Sequence, residues 1–111
     1  NYVVKSKTLI ENALDSLRGM DLYAEQWADF EMELSVMVVK VEDDINLQEH
    51  ATIAYPVVET VHQDGICKLV YAPARCISDK VRQAAQELAK TAVGCLWGRG
   101  VFGVELFLLK D

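Results

Sequence analysis

Basic residues are in short supply in this 111-residue chain, where 11 Lys and Arg stand against 17 Asp and Glu, for a net charge of −6 and a pI near 4.8. That balance works against the phosphate backbone of a nucleic acid, which is held by clustered cations, while a single nucleotide with its metal stays compatible with it. No apolar run reaches the roughly 18 to 20 residues a membrane span needs, and no charged, apolar, small-residue leader is present. Neither nucleic acid nor membrane is therefore expected as a partner, and a cytoplasmic location is the expectation. Cysteine is sparse too: Cys67, Cys76 and Cys95 are odd in number and lack C-x-x-C spacing or a partnering His pair. This argues against a zinc site or disulfide framework and predicts reduced, mostly buried thiols. Internal repeats and low-complexity segments are absent as well.

What is present is an ordinary globular composition, 51% hydrophobic and 25% charged, sufficient for one core. The chain begins without Met inside an apparent strand, Tyr2-Val3-Val4, and stops two residues beyond the apolar run Val101 to Leu109, which reads as a piece cut from a longer protein. After that strand, Ser6 or Thr8 can cap a helix carrying Leu9, Ile10, Ala13, Leu14 and Leu17 at helical spacing, with Gly19 as its stop; this helix is expected to cover one sheet face. Leu22 to Trp27 reads as a second, aromatic-rich strand. In a third strand Met32, Leu34, Val36 and Val38 alternate with Glu33, Ser35 and Met37, so that Glu33 starts at a strand mouth.

Glu42-Asp43-Asp44 through His50 reads as an exposed acidic loop, and Ala51 to Val58 resumes the β pattern around Pro56, which implies an edge or a bulge. Tyr55 to Arg75 then places two β-prone runs around Asp64-Gly65, a dipeptide that accepts positive φ and so specifies a hairpin. Glu59, His62 and Asp64 are expected near its tip, where a wet, polar end is the commoner explanation of such a cluster. Ser78 caps the strongest helix, with Val81, Ala84, Ala85, Leu88, Ala89, Ala92 and Val93 along one stripe. Val101 to Leu109 follows as a strand apolar on both faces, hence central and covered. The order β-α-β-β-β-β-α-β predicts an α+β fold, a mostly antiparallel sheet under two helices.

Three places carry candidate chemistry. Glu105 lies within the last apolar strand, where a carboxylate costs several kcal/mol unless compensated; a bound cation or a partner arginine would do so. Magnesium suits such a residue because it takes only one or two carboxylates with substrate phosphates, and Gly103 on the same face leaves room for a ligand. Glu25 to Ala28, leading from a strand into a loop, would offer backbone N–H and C=O groups that match a purine edge. A carboxylate a short loop further on, Glu33, could accept both hydroxyls of a ribose.

L-Y-A-E-Q-W-A-D-F-E-M-E-L-S-V, P-V-V-E-T-V-H-Q-D-G-I-C, Y-A-P-A-R and G-V-F-G-V-E-L-F together resemble the ATP-grasp domain of N5-carboxyaminoimidazole ribonucleotide synthetases. The chain is similar in particular to the fungal form, which is fused to a mutase domain and called phosphoribosylaminoimidazole carboxylase. The resemblance covers nearly the whole chain; the V-H-Q-D-G hairpin is its specific part, and the G-V-E-L-F strand is shared by ATP-grasp ligases generally. It implies one lobe of an ATP-grasp domain over residues 1–111, with Glu25, Gln26, Trp27 and Ala28 at the adenine hinge, Glu33 on the ribose, His62 near the nucleotide and Glu105 on Mg2+. ATP, bicarbonate and aminoimidazole ribonucleotide are the implied small molecules, and a homodimer of the full-length enzyme is compatible with it. A glycine-rich lid with its phosphate lysine, and an Asn-Glu metal-ligand pair, belong to the family and are not among these residues. Another ATP-grasp ligase, and a non-catalytic α+β interaction module with a solvated acidic face, are the alternatives.

Overall fold

Alternation of branched aliphatic and polar residues makes Phe30–Lys40 (β1) the axis of the molecule, in a computed structural model that describes residues 2–41 and 52–110. Among the described residues, β1 has three antiparallel partners. Gly100–Leu109 (β5) lines one of its edges from Phe30 to Lys40. Along the other edge, Thr52–Ala54 (β2) pairs with Val38 to Lys40 and Val58–Gln63 (β3) with Glu33 to Ser35, the two lying end to end on either side of Pro56. The proline, with no N–H to donate, falls in the gap between them. Ile66–Tyr71 (β4) closes the β3 hairpin through Asp64 and Gly65, whose φ values of 55° and 74° are those the dipeptide was expected to accept.

The helical side of the core is Asp79–Gly94 (α2), started by Ser78, whose Oγ accepts the Val81 N–H at 3.3 Å. Ala85, Ala89 and Val93 recur every four residues and so form one buried stripe, small enough to bring the helix close to the sheet. Against it lie Leu34, Val36 and Val38 of β1, Val57, and the half-buried Phe102, Val104, Leu106 and Leu108 of β5. Each such valine stabilises the fold by about 1.5 to 3 kcal/mol relative to its exposed state. Lys40, on the same face, is buried and donates to the Leu96 carbonyl at 2.6 Å, tying the end of β1 to the segment after α2.

The α+β class and the antiparallel sheet are as the sequence leads one to expect, with several local differences. Tyr2-Val3-Val4 and Leu22 to Trp27 are not strands, because neither finds a ladder partner among the described residues. Ile10–Ser16 (α1), entered through a 3₁₀ turn at Lys7–Leu9, buries only Ala13 and lies outside the core cluster, leaving α2 to cover the sheet. Ser6 is the N-cap residue of that turn, its carbonyl accepting the Leu9 N–H at 3.1 Å, but its side chain caps neither helix; its Oγ pairs instead with Thr8 Oγ1 at 2.8 Å. The radius of gyration is 17.3 Å, against about 13 Å for a compact domain of similar length. β5 is covered on one face only, with Val101, Phe107 and Leu109 exposed on the other, and no described strand pairs its outer edge. All three cysteines are free and exposed rather than buried. The acidic stretch Glu42 to His50 lies outside the described residues.

Candidate functional site

Register decides which side chains meet. Residues directly opposite one another on paired strands point to the same face. Glu33 stands between Thr60 of β3 and Phe107 of β5, and Ser35 between Val58 and Glu105. His62, two residues beyond Thr60, shares their side. The face opposite α2 thus gathers Glu33, Ser35, Thr60, His62, Glu105 and Phe107, and a cavity of about 310 Å³ opens there, lined by these residues except Ser35 together with Leu34, Leu106 and Gly65 of the hairpin turn. Of the residues singled out from sequence, the fold brings three together here: Glu33, His62 and Glu105.

Glu33 and His62 are in direct contact through Oε2 and Nδ1, each side chain about one-quarter exposed (24% and 23%), which places the imidazole at the cavity rim rather than in the core. Glu105 is exposed, and no hydrogen bond or ion pair to another described residue engages it. The expectation of a carboxylate in a covered strand is therefore corrected: its face of β5 is open. An outward, unengaged carboxylate fits Mg2+ held jointly with phosphates, whereas no group of three metal-ligating side chains exists among the described residues to hold an ion unaided. A Cβ at Gly103 would meet only Met37 Sδ, at an ordinary 3.6 Å.

Glu25, Gln26 and Trp27 are exposed and Ala28 half-buried in an irregular segment that runs into β1. No described hydrogen bond occupies the backbone of residues 25–28, so these groups are available to a ligand edge. The segment reaches the cavity through a column of rings. Trp27 stacks on Phe30 with centroids 6.3 Å apart, and Phe30 on Phe107 at 4.5 Å and 13°. Strict alternation would put Phe30 on the Leu34 face; a bulge between Phe30 and Met32 turns it to the side of Leu109 and Phe107. Sequence reading missed Phe30, Phe107 and Thr60. Phe107 and Thr60 each lie two residues from a recognised one, Glu105 and His62, which was the available signal.

Glu59 belongs to the opposite face. It sits at the base of the hairpin, opposite Leu34 and Tyr71, not near the tip. Arg75 grips its carboxylate with Nε at 3.0 Å and Nη2 at 2.8 Å, while the guanidinium lies 3.2 Å from the centre of the Tyr71 ring. These hydrogen bonds hold the Glu59 carboxyl below its ordinary value of 4.5 and raise that of Arg75. The pair fastens the segment between β4 and α2 to the sheet.

Among the described residues, an antiparallel sheet backed by one helix leaves an acid-bearing face open beside a segment whose backbone no described hydrogen bond engages. The ATP-grasp domain profile matches residues 1–111, and the chain belongs to the ATP-grasp family. Within it, the chain is 50% identical over 111 residues to phosphoribosylaminoimidazole carboxylase of Candida albicans and 46% identical over 110 residues to that of Saccharomyces cerevisiae. It is matched over 100% and 99% of its length respectively, and spans only 18% of each of those relatives. A crystal structure of the Aspergillus clavatus N5-carboxyaminoimidazole synthase, in complex with ADP and 5-aminoimidazole ribonucleotide, superposes with a TM-score of 0.89 at 53% identity, covering 100% of this chain and 28% of that one.

Proposed function

We propose that this chain is one lobe of the ATP-binding domain of a purine-biosynthesis ligase, which carboxylates aminoimidazole ribonucleotide with ATP and bicarbonate. The observation that carries the reading is the cavity that unites Glu33, His62 and Glu105 on one sheet face, beside the free hinge Glu25-Gln26-Trp27-Ala28. In this reading the hinge backbone takes the adenine edge, Glu33 accepts the ribose hydroxyls, His62 borders the nucleotide, and Glu105 holds Mg2+. The ion, when bound, neutralises charge on the transferred phosphoryl group. The protein's share is positional and electrostatic. It aligns the γ-phosphoryl with bicarbonate, so that the terminal phosphorus–oxygen bond breaks as a new one forms to the bicarbonate oxygen, releasing ADP; the carboxyl then passes to the substrate amine, whose nitrogen forms the new N–C bond and gives up a proton as the C–O bond to phosphate breaks and inorganic phosphate leaves. Exclusion of water protects the labile acyl phosphate.

The names of the relatives support the substrate class, and a fused carboxylase (decarboxylating lyase) activity, a cytoplasmic location and a homodimer of the full-length enzyme belong to the same proposal. The test is ADP release by the full-length protein with Mg-ATP and bicarbonate, with and without aminoimidazole ribonucleotide. Release dependent on that amine supports the reading. Release dependent on a different amine or acid assigns another ATP-grasp ligase, and a failure to bind Mg-ATP favours an interaction module.

A further inference from the structure

Thr60 Oγ1 is the buried side-chain oxygen that has no hydrogen-bond partner among the described residues. A hydroxyl hidden from water and unpaired opposes folding, so its retention calls for a partner in some other state of the molecule. Its position supplies one. Thr60 lies directly opposite Glu33, yet the Glu33 carboxylate is engaged by His62, two residues further along the same strand. An ionised carboxylate has about four acceptor sites, enough for two ligand hydroxyls and one protein donor.

We propose that Thr60 is a positioning residue of the sugar subsite, whose hydroxyl donates to Glu33 once the vicinal diol of a nucleotide displaces His62 from that carboxylate. The inference rests on the reading of Glu33 as the ribose acceptor. The contact between Glu33 and His62 is then the ligand-free arrangement, and Thr60 replaces it with a donor that carries no charge and stays below the ligand.

The experiment compares Thr60→Val and Thr60→Ser with wild type in the full-length protein, by calorimetric titration with Mg-ATP and with Mg-2′,3′-dideoxy-ATP and by the melting temperature without ligand. Thr60→Val is expected to weaken ATP binding roughly tenfold, the lower end for loss of a hydrogen bond to a charged group. It should leave dideoxy-ATP binding unchanged, and Thr60→Ser should retain wild-type affinity for both. Without ligand, Thr60→Val should melt no lower than wild type, since an unpaired hydroxyl contributes nothing there. The proposal is overturned if Thr60→Val binds ATP as wild type does, if it loses both nucleotides equally, or if Thr60→Ser fails to restore binding. Wild-type protein that binds neither nucleotide would overturn the nucleotide reading itself, and Thr60's role with it.

Discussion

Glu105→Gln separates two roles a carboxylate on β5 can have. The residue lies on the open face opposite Ser35, and no hydrogen bond or ion pair to another described residue engages it. Folding therefore gains little from its charge, and the change should stay within about 0.5 kcal/mol of wild type. At roughly 4 to 8 °C per kcal/mol, the melting temperature should move by no more than about 4 °C. Turnover should respond far more. An amide keeps the shape but removes the negative charge offered to Mg2+, and second-sphere changes alone cost about 10- to 100-fold at metal sites. A direct ligand should exceed that range, so a loss of at least about 100-fold, or about 2.7 kcal/mol of barrier, is expected with only a modest rise in the KM for ATP. Steady-state rates over a magnesium titration, with melting curves on the same samples, provide the assay. Turnover that stays near wild type across the magnesium titration would refute the metal assignment, and a melting temperature lowered by well over about 4 °C beside it would make Glu105 a structural residue.

Ionised Glu59 is favoured in the folded chain by its hydrogen bonds from Arg75, so its contribution to stability is present above the ordinary carboxyl value of 4.5 and is lost as the pH falls toward its lowered folded value. Melting temperatures of wild type and Glu59→Gln should accordingly converge on acidification below about pH 4.5; a constant gap between them would contradict the role of the ion pair. Gly65→Ala should destabilise the hairpin by about 1 kcal/mol, because an L-residue at positive φ costs about 1 to 2 kcal/mol and the stiffer unfolded chain returns part of it. The added Cβ meets nothing within 4 Å, so a much larger loss of stability in urea denaturation would mean that the turn is not the source. Cys67, Cys76 and Cys95 should each react with a thiol reagent in the native chain, as their exposure requires, and protection of all three would refute it.

Much of the fold was legible because its signals are local. The Ser78 cap, the small-residue stripe of α2, the alternation in β1 and the Asp64-Gly65 turn each specify their element from a few adjacent residues. Tyr2-Val3-Val4 and Leu22 to Trp27 have strand composition, but a strand also needs a partner, and partnership is a long-range property that composition does not carry. The same limit applies to Val101 to Leu109. Apolar residues on both sides of a strand say that both faces tolerate burial, not which elements cover them, and here α2 covers only the Phe102, Val104, Leu106 and Leu108 side.

The site was legible in its acids and illegible in its register. Glu33 and Glu105 share a face because β1 and β5 pair Ser35 with Glu105 and Glu33 with Phe107, a relation that neither strand reveals alone. Glu59 shows the other side of the same rule. It is three residues from His62, an odd step, so alternation sends the two to opposite faces, one to the Arg75 clamp and the other to the cavity. Grouping them at one hairpin tip treated proximity in sequence as proximity in space. Phe30 shows where alternation itself fails, since the bulge before Met32 reverses its side and alone permits the ring column from Trp27 to Phe107. Parity therefore assigns these residues to the cavity or the core only when counted from a known pairing and corrected at each bulge, and that pairing is the information the folded chain adds.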